Sequence, residues 1–140
     1  MFVGTYEHSL DGKGRVVLPS KFRNRLAQAS YLAPHQGCVA LWPADEFADM
    51  VARVRDRVRA GGESAEVLRG VSAYAEEVTP DAQGRILVPQ HLRDFGDLGS
   101  EVVVTGAFDH IELWNVERWA ALRPDLDETI IRAFAEGAGA

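Results

Sequence analysis

The sequence predicts an α+β fold in which two copies of one unit share a single core about an internal pseudo-two-fold axis, with flanking helices. Three observations predict it. First, Asp11-Gly12-Lys13-Gly14-Arg15-Val16-Val17-Leu18-Pro19 returns as Asp81-Ala82-Gln83-Gly84-Arg85-Ile86-Leu87-Val88-Pro89, with Asp, Gly, Arg and Pro at a constant spacing of 70 residues. Second, Leu41-Trp42 and Leu113-Trp114 match at a spacing of 72, and Phe47 and Trp119 each lie five residues beyond their Trp. Third, the elements around these landmarks recur in one order. A unit of about 45–50 residues buries too little apolar surface to fold comfortably alone. The copies must therefore pack together or interleave their strands.

Taken in order, residues 5–10 read as a strand running into the first Gly-rich turn, with 15–18 as its partner. Gly14 supplies the turn's positive φ, and the Asp11 carboxylate accepts hydrogen bonds from turn amides. Pro19-Ser20 offers a helix start, and Phe22, Arg23, Leu26 and Ala27 follow at helical spacing. Strands are predicted near 31–33 and 38–42. Pro43 suits the first position of a helix from about Ala44, whose apolar stripe is Phe47, Met50, Val51, Val54 and Val58. Gly61-Gly62 breaks it, and a second helix begins near Ser64 with Val67, Leu68, Val71, Tyr74 and Ala75 on one face.

Copy two repeats the plan, with a strand at 76–79, a turn at 81–84, a strand at 85–88 and a short helix from Gln90 to about Phe95. Strands at 101–105 and 110–114 follow. Asn115 is a good N-cap for the next helix, and Pro124 is expected to open a last one carrying Leu126, Ile130, Ile131 and Phe134. The tail 137–140 reads as a flexible end. The organisation is thus repeat one at 5–47, a helical connection at 48–75, repeat two at 76–119, and a C-terminal helix and tail at 120–140.

The chain has 140 residues and a net charge of −6, unevenly spread. Between 11 and 25, Lys13, Arg15, Lys21, Arg23 and Arg25 face one acid, Asp11, a local balance of +4; from 97 to 140 the balance is −6. A polarised molecule can present a positive face to a polyanion despite its total charge. The single cysteine, Cys38, excludes an intramolecular disulfide and fits a cytoplasmic setting. No apolar run approaches the roughly 20 residues of a membrane span. His8, His35, His91 and His110 have no metal-ligand spacing, and no nucleophile sits in a recognisable motif. Neither an enzyme nor a cofactor is expected, and no small-molecule substrate.

The N-terminal Met1-Phe2-Val3-Gly4-Thr5-Tyr6, the Asp11–Arg15 segment with Leu18-Pro19 and Lys21-Phe22-Arg23, the Asp81–Arg85 unit and Trp114 together resemble the MraZ family of bacterial transcriptional regulators. The resemblance covers the chain to about residue 120, and the doubled Asp-x-x-x-Arg is far more specific than one copy. It implies that each half is a SpoVT-AbrB-like element and that the two form a swapped-hairpin β-barrel. It further implies binding to DNA repeats upstream of the division and cell-wall gene cluster, association with the nucleoid, and homo-oligomeric rings.

On this reading the DNA-binding residues are Lys13, Arg15, Arg85, Lys21 and Arg23. A guanidinium can bridge two acceptors of a guanine or a phosphate, which suits Arg15 and Arg85. Lys13, between two glycines, has little but solvent or a phosphate to meet. Lys21, Arg23 and Arg25 lie on or beside a short helix whose default role is a solvated face. Asp11, Gly14, Asp81 and Gly84 are expected to brace the turns. Copy two departs from the basic pattern, with Ala82 and Gln83 for Gly12 and Lys13, which puts its DNA contact in question. Arg53, Arg55, Arg57 and Arg59 point around a helix and are expected to pair with neighbours such as Asp49 and Asp56, with an interface role as the alternative. The tryptophans read as core or subunit contacts. The rival reading is a non-catalytic oligomeric protein-interaction module on which the basic turn is incidental.

Overall fold

The computed structural model describes residues 1–26 and 28–136. Ala27 and the tail 137–140, predicted as part of the short helix and as a flexible end, lie outside the described residues. In chain order the elements are β1 (Thr5–Ser9), β2 (Arg15–Val17), α1 (Ser20–Arg23) with a 3-10 turn (Asn24–Leu26), β3 (Ser30–Pro34), β4 (Val39–Pro43), α2 (Ala44–Arg59) and α3 (Ala65–Tyr74). Then follow β5 (Glu76–Val78), β6 (Arg85–Leu87), α4 (Gln90–Gly96), β7 (Glu101–Gly106), β8 (Ile111–Asn115) and α5 (Val116–Ala135).

Six strands form an antiparallel sheet in the order β1-β7-β8-β4-β3-β5, and β2 and β6 form a separate two-stranded ribbon. Exchange β1 with β5, β3 with β7 and β4 with β8, and the same order reads backwards. The first strand of each copy pairs with the third strand of the other, as Thr5 opposite Thr105 and Ser30 opposite Val78. At the centre, β4 and β8 join the copies with Ala40 opposite Glu112. The halves are interleaved.

Residue alternation along each strand sorts the sheet into two faces. One packs against the ribbon and short helices, burying Leu32, Leu41, Val102, Val104, Ile111 and Leu113 with Val16, Leu18, Phe22, Ile86, Val88 and Leu92. The other is covered in two patches. Phe47 and Met50 of α2 and Val71 of α3 pack on Ala33, Ala40 and Trp42. Trp119 and Leu122 of α5 pack on Cys38, Val103 and Trp114.

Four expectations are corrected. Residues 15–18 are not the partner of 5–10, because β1 pairs with β7 and β2 with β6. The last bond between the two limbs is Asp11 N–H to the Arg15 carbonyl at 2.9 Å. Past it, Gly14 at φ +82° turns the chain out of the sheet, and Val16 finds an apolar partner in Ile86. Pro124 opens no new helix: α5 runs unbroken through it from an N-cap at Asn115, whose side chain accepts from Arg118 N–H at 2.9 Å. The carbonyl four residues earlier belongs to exposed Ala120, where water can take the place of the missing N–H. Pro43 stands at the N-cap of α2 and closes β4, one place ahead of its predicted position. Of the α2 arginines, Arg59 lies 3.6 Å from Asp56, whereas Arg53 reaches Asp109 of copy two at 3.9 Å. The interleaved topology, invisible from local spacing, brings that acid across.

Candidate nucleic-acid interface

The ribbon sets the site. Its register places Arg15 opposite Leu87, Val16 opposite Ile86 and Val17 opposite Arg85. Alternation sends Val16 and Ile86 into the core, at 0% and 1% exposure, and turns Arg15, Val17, Arg85 and Leu87 outward together. Two guanidiniums therefore share one outer face with two exposed apolar side chains. The ribbon is extended at each end by a bond to the other copy's turn, Leu18 N–H to the Gly84 carbonyl and Val88 N–H to the Gly14 carbonyl, both 2.9 Å.

Each arginine is held by the aspartate that opens its turn. One oxygen of Asp11 accepts from the Lys13 and Arg15 backbone N–H groups at 2.9 Å each, and the other from Arg15 Nε at 2.7 Å. Asp81 does the same with Gln83 N–H, Arg85 N–H and Arg85 Nε at 2.9, 2.9 and 2.8 Å. The Arg15 backbone bond leads in holding the Asp11 carboxyl down at about 2, against an ordinary 3.8, with the Arg15 side chain and Lys13 backbone bonds adding to it. Asp81 is lowered chiefly by the equivalent Arg85 backbone bond. The pairing engages Nε of each guanidinium. The Nη groups of Arg15 and Arg85 have no hydrogen-bond partner among the described residues. Turn bracing and an open, forked donor edge thus belong to the same side chain.

The remaining predicted residues are distributed unevenly. Lys13 is exposed at the tip of the first turn. Arg23 leaves its own turn: its Nε donates to the Leu18 carbonyl at 3.1 Å, and its guanidinium lies over Gly84 of copy two. Arg93, given no role in the sequence reading, is its counterpart, donating from Nε to the Val88 carbonyl at 3.0 Å and lying over Gly14. The signal was available, because Arg23 and Arg93 obey the same 70-residue spacing as the turns. Gly14 and Gly84, at φ +82° and +76°, leave room for these crossing arginines. Turn two, poor in basic residues by sequence, gains Arg23. Lys21 sits elsewhere, its Nζ 5.5 Å from the Tyr6 ring centroid, and Arg25 lies 5.2 Å from that of Phe2.

The family model described as "MraZ protein, putative antitoxin-like" matches twice, over residues 1–69 and 72–136. The chain belongs to the MraZ family. It is 43% identical over 130 residues to a protein named Transcriptional regulator MraZ from Bifidobacterium longum, covering 91% of this chain and 86% of that one. It is 36% identical to the proteins of the same name from Mycolicibacterium smegmatis and Corynebacterium diphtheriae. Those matches cover 97% and 99% of this chain and 96% and 98% of theirs. Each of the two family matches takes in one Asp-x-x-x-Arg turn. No helix among the described residues is long and apolar enough to cross a membrane.

One further cluster in this MraZ-family chain is capable of holding a metal. On the sheet face away from the ribbon, His35, His110 and Glu112 each offer one ligand atom within 4.8 Å of the others. His110 Nε2 lies 2.8 Å from Glu112 Oε2, and His35 Nε2 lies 3.7 Å from the same oxygen. Burial pulls the His110 pKa down, but hydrogen bonds to Glu112 and Asp109 outweigh it and leave it raised. Burial and the neighbouring His110 charge lower that of His35. Burial raises the Glu112 pKa, and the bonds from His110 and Trp114 overcome this to leave it lowered. His110 and Glu112 are two residues apart in sequence, and strand pairing brings the distant His35 to them.

Proposed function

We propose that this chain is a sequence-specific DNA-binding transcription regulator, acting on direct repeats in the promoter of the division and cell-wall gene cluster. The observation that carries the reading is the outward pair Arg15 and Arg85, on one ribbon face and held identically by Asp11 and Asp81. Their free Nη edges suit guanine or phosphate, and Val17 and Leu87 between them suit thymine methyl groups. Lys13, Arg23 and Arg93 at the turns supply phosphate contact and salt-sensitive affinity. The name shared by the relatives supports a role in transcription. The exchanged strand pairing and the separate ribbon support an AbrB-like swapped-hairpin unit at 5–47 and 76–119. A DNA partner in turn implies a cytoplasmic, nucleoid-associated protein.

The same reading includes a homo-oligomeric ring. One protomer offers few phosphate contacts, and joining protomers makes later contacts intramolecular. The exposed Ile130, Ile131 and Phe134 of α5, at 55%, 69% and 60%, support subunit contact there. They equally favour the alternative of a non-catalytic oligomeric interaction module. Gel shifts at rising salt, comparing promoter with scrambled DNA, separate the two. A regulator prefers the promoter and weakens steeply with salt; an interaction module binds neither specifically.

A further inference from the structure

We propose that His35, His110 and Glu112 form a binding site for a divalent transition metal, with zinc the best match. The donors are two imidazoles and a carboxylate, a set that suits zinc and leaves one position for water. A tetrahedral zinc with ordinary bond lengths separates its ligand atoms by roughly 3.4 Å. Two of the three separations, 2.8 Å from His110 Nε2 to Glu112 Oε2 and 3.7 Å from His35 Nε2 to the same oxygen, lie on either side of that value, and all three ligand atoms are within 4.8 Å of one another. On binding, the metal takes the place of the proton between His110 and Glu112, which passes to solvent.

The surroundings hold the ligands as a metal site requires. His110 Nδ1 lies 2.7 Å from Asp109 Oδ1, the carboxylate–histidine arrangement that orients the ring and presents Nε2. The second Glu112 oxygen accepts from Trp114 Nε1 at 2.9 Å, which leaves Oε2 for the metal. Trp42 stacks on His110 at 4.2 Å and fixes the ring plane. Side-chain exposures of 10% for His110, 17% for Glu112 and 32% for His35 give a shielded site open on the His35 side.

The repeat gives an independent argument. At the 72-residue spacing, Cys38 occupies the place of His110 and Ala40 that of Glu112. The polar group therefore stands in one copy only, and the small Ala40 opposite Glu112 leaves room for it. Bound metal would fasten the β3–β4 turn of the first copy to β8 of the second.

The test uses the full chain, stripped with chelator and titrated with zinc by calorimetry, and with cobalt(II) by visible absorption. The expected result is one metal per chain at micromolar affinity or tighter, a rise in melting temperature with zinc, and a cobalt ligand-field band. Nuclear magnetic resonance of the wild type should show zinc shifting the ring signals of His35 and His110 while leaving those of His8 and His91. His35→Phe and Glu112→Gln should abolish binding with circular dichroism unchanged, and Asp109→Asn should weaken it roughly tenfold. His8→Gln and His91→Gln should bind as the wild type. No uptake by the wild type, or zinc-induced shifts confined to His8 and His91, would overturn the proposal. So would uptake that survives both His35→Phe and Glu112→Gln. The resonance readout needs no variant, so a substitution that unfolds the chain leaves the decision intact.

Discussion

Arg93 of the second copy lies against Gly14 of the first, so close that a Cβ on Gly14 would sit 2.8 Å from the Arg93 Cζ. Arg23 and Gly84 stand in the same relation. Each Asp-x-x-x-Arg turn is thus completed by a side chain from the other copy.

Gly14→Ala tests this crossing. The new methyl meets Arg93 in a backbone at φ +82°, where an L side chain is strained whatever the space. A cost of about 1–3 kcal/mol is expected. Urea unfolding should show it as a lower midpoint at unchanged slope. Gly12→Ala, with nothing within 4 Å of its would-be Cβ, should stay close to the wild type.

Asp11→Asn separates bracing from recognition. The amide keeps part of the turn's hydrogen bonding and removes a negative charge from the basic face. Modest destabilisation, with non-specific DNA affinity unchanged or tighter, is expected in melting and fluorescence-anisotropy measurements. A selective loss of sequence discrimination at full stability would make Asp11 a reader of bases.

The acid limb of stability carries the same signature. The folded Asp11 carboxyl titrates at about 2, below its ordinary 3.8. A depressed carboxylate stabilises the fold above the unfolded value, and that contribution is lost as pH falls through the folded one. The melting-temperature gap between wild type and Asp11→Asn should therefore narrow as pH drops from 3.8 towards 2. A gap that stays constant across this window would show that the ionised carboxylate is not what holds the turn.

Much of this was legible in the residues. The 70-residue echo marked the turns, and apolar alternation marked strands and helices to within a residue or two. Local signals could not say which strand meets which. The segment 5–10 alternates equally well beside 15–18 or beside Glu101–Gly106, and only the joint burial of both copies selects the second. Pro124 suggests a helix start because its missing N–H usually breaks a helix; on an exposed face, water meets that deficit. Local charge gives Arg93 no DNA role, because Asp81 and Asp94 cancel Arg85 and Arg93 between 81 and 95, although its spacing of 70 from Arg23 is in the sequence. His110 and Glu112 show only as alternate residues of one strand, and His35, 75 residues earlier, joins them through the pairing of β4 with β8.

Assembly is tested on α5. Ile131→Asp with Phe134→Asp changes side chains that are 69% and 60% exposed, so the protomer fold should persist by circular dichroism. Light scattering should show a smaller particle, and the affinity gain from one DNA repeat to three, on the order of 10²–10⁴ for linked sites, should shrink. A wild-type monomer at micromolar concentration would remove the ring from the account.

Single-side-chain contributions to binding should follow the turn geometry. Arg15→Ala should cost about 1–3 kcal/mol of specific binding per protomer. Arg85→Ala should cost less, since Gln83 stands where Lys13 stands. Lys13→Ala should weaken all sequences alike and reduce the salt slope by about 1.

The most direct measurement compares the wild type with the double variant Arg15→Ala/Arg85→Ala on DNA carrying three promoter repeats and on scrambled DNA, across a salt series. The wild type should favour the repeats, and the double variant, melting as the wild type does, should lose that preference while keeping residual salt-dependent binding. A double variant that still picks out the repeats, or a wild type that binds both DNAs equally, would contradict the assignment of the ribbon face as the reading surface.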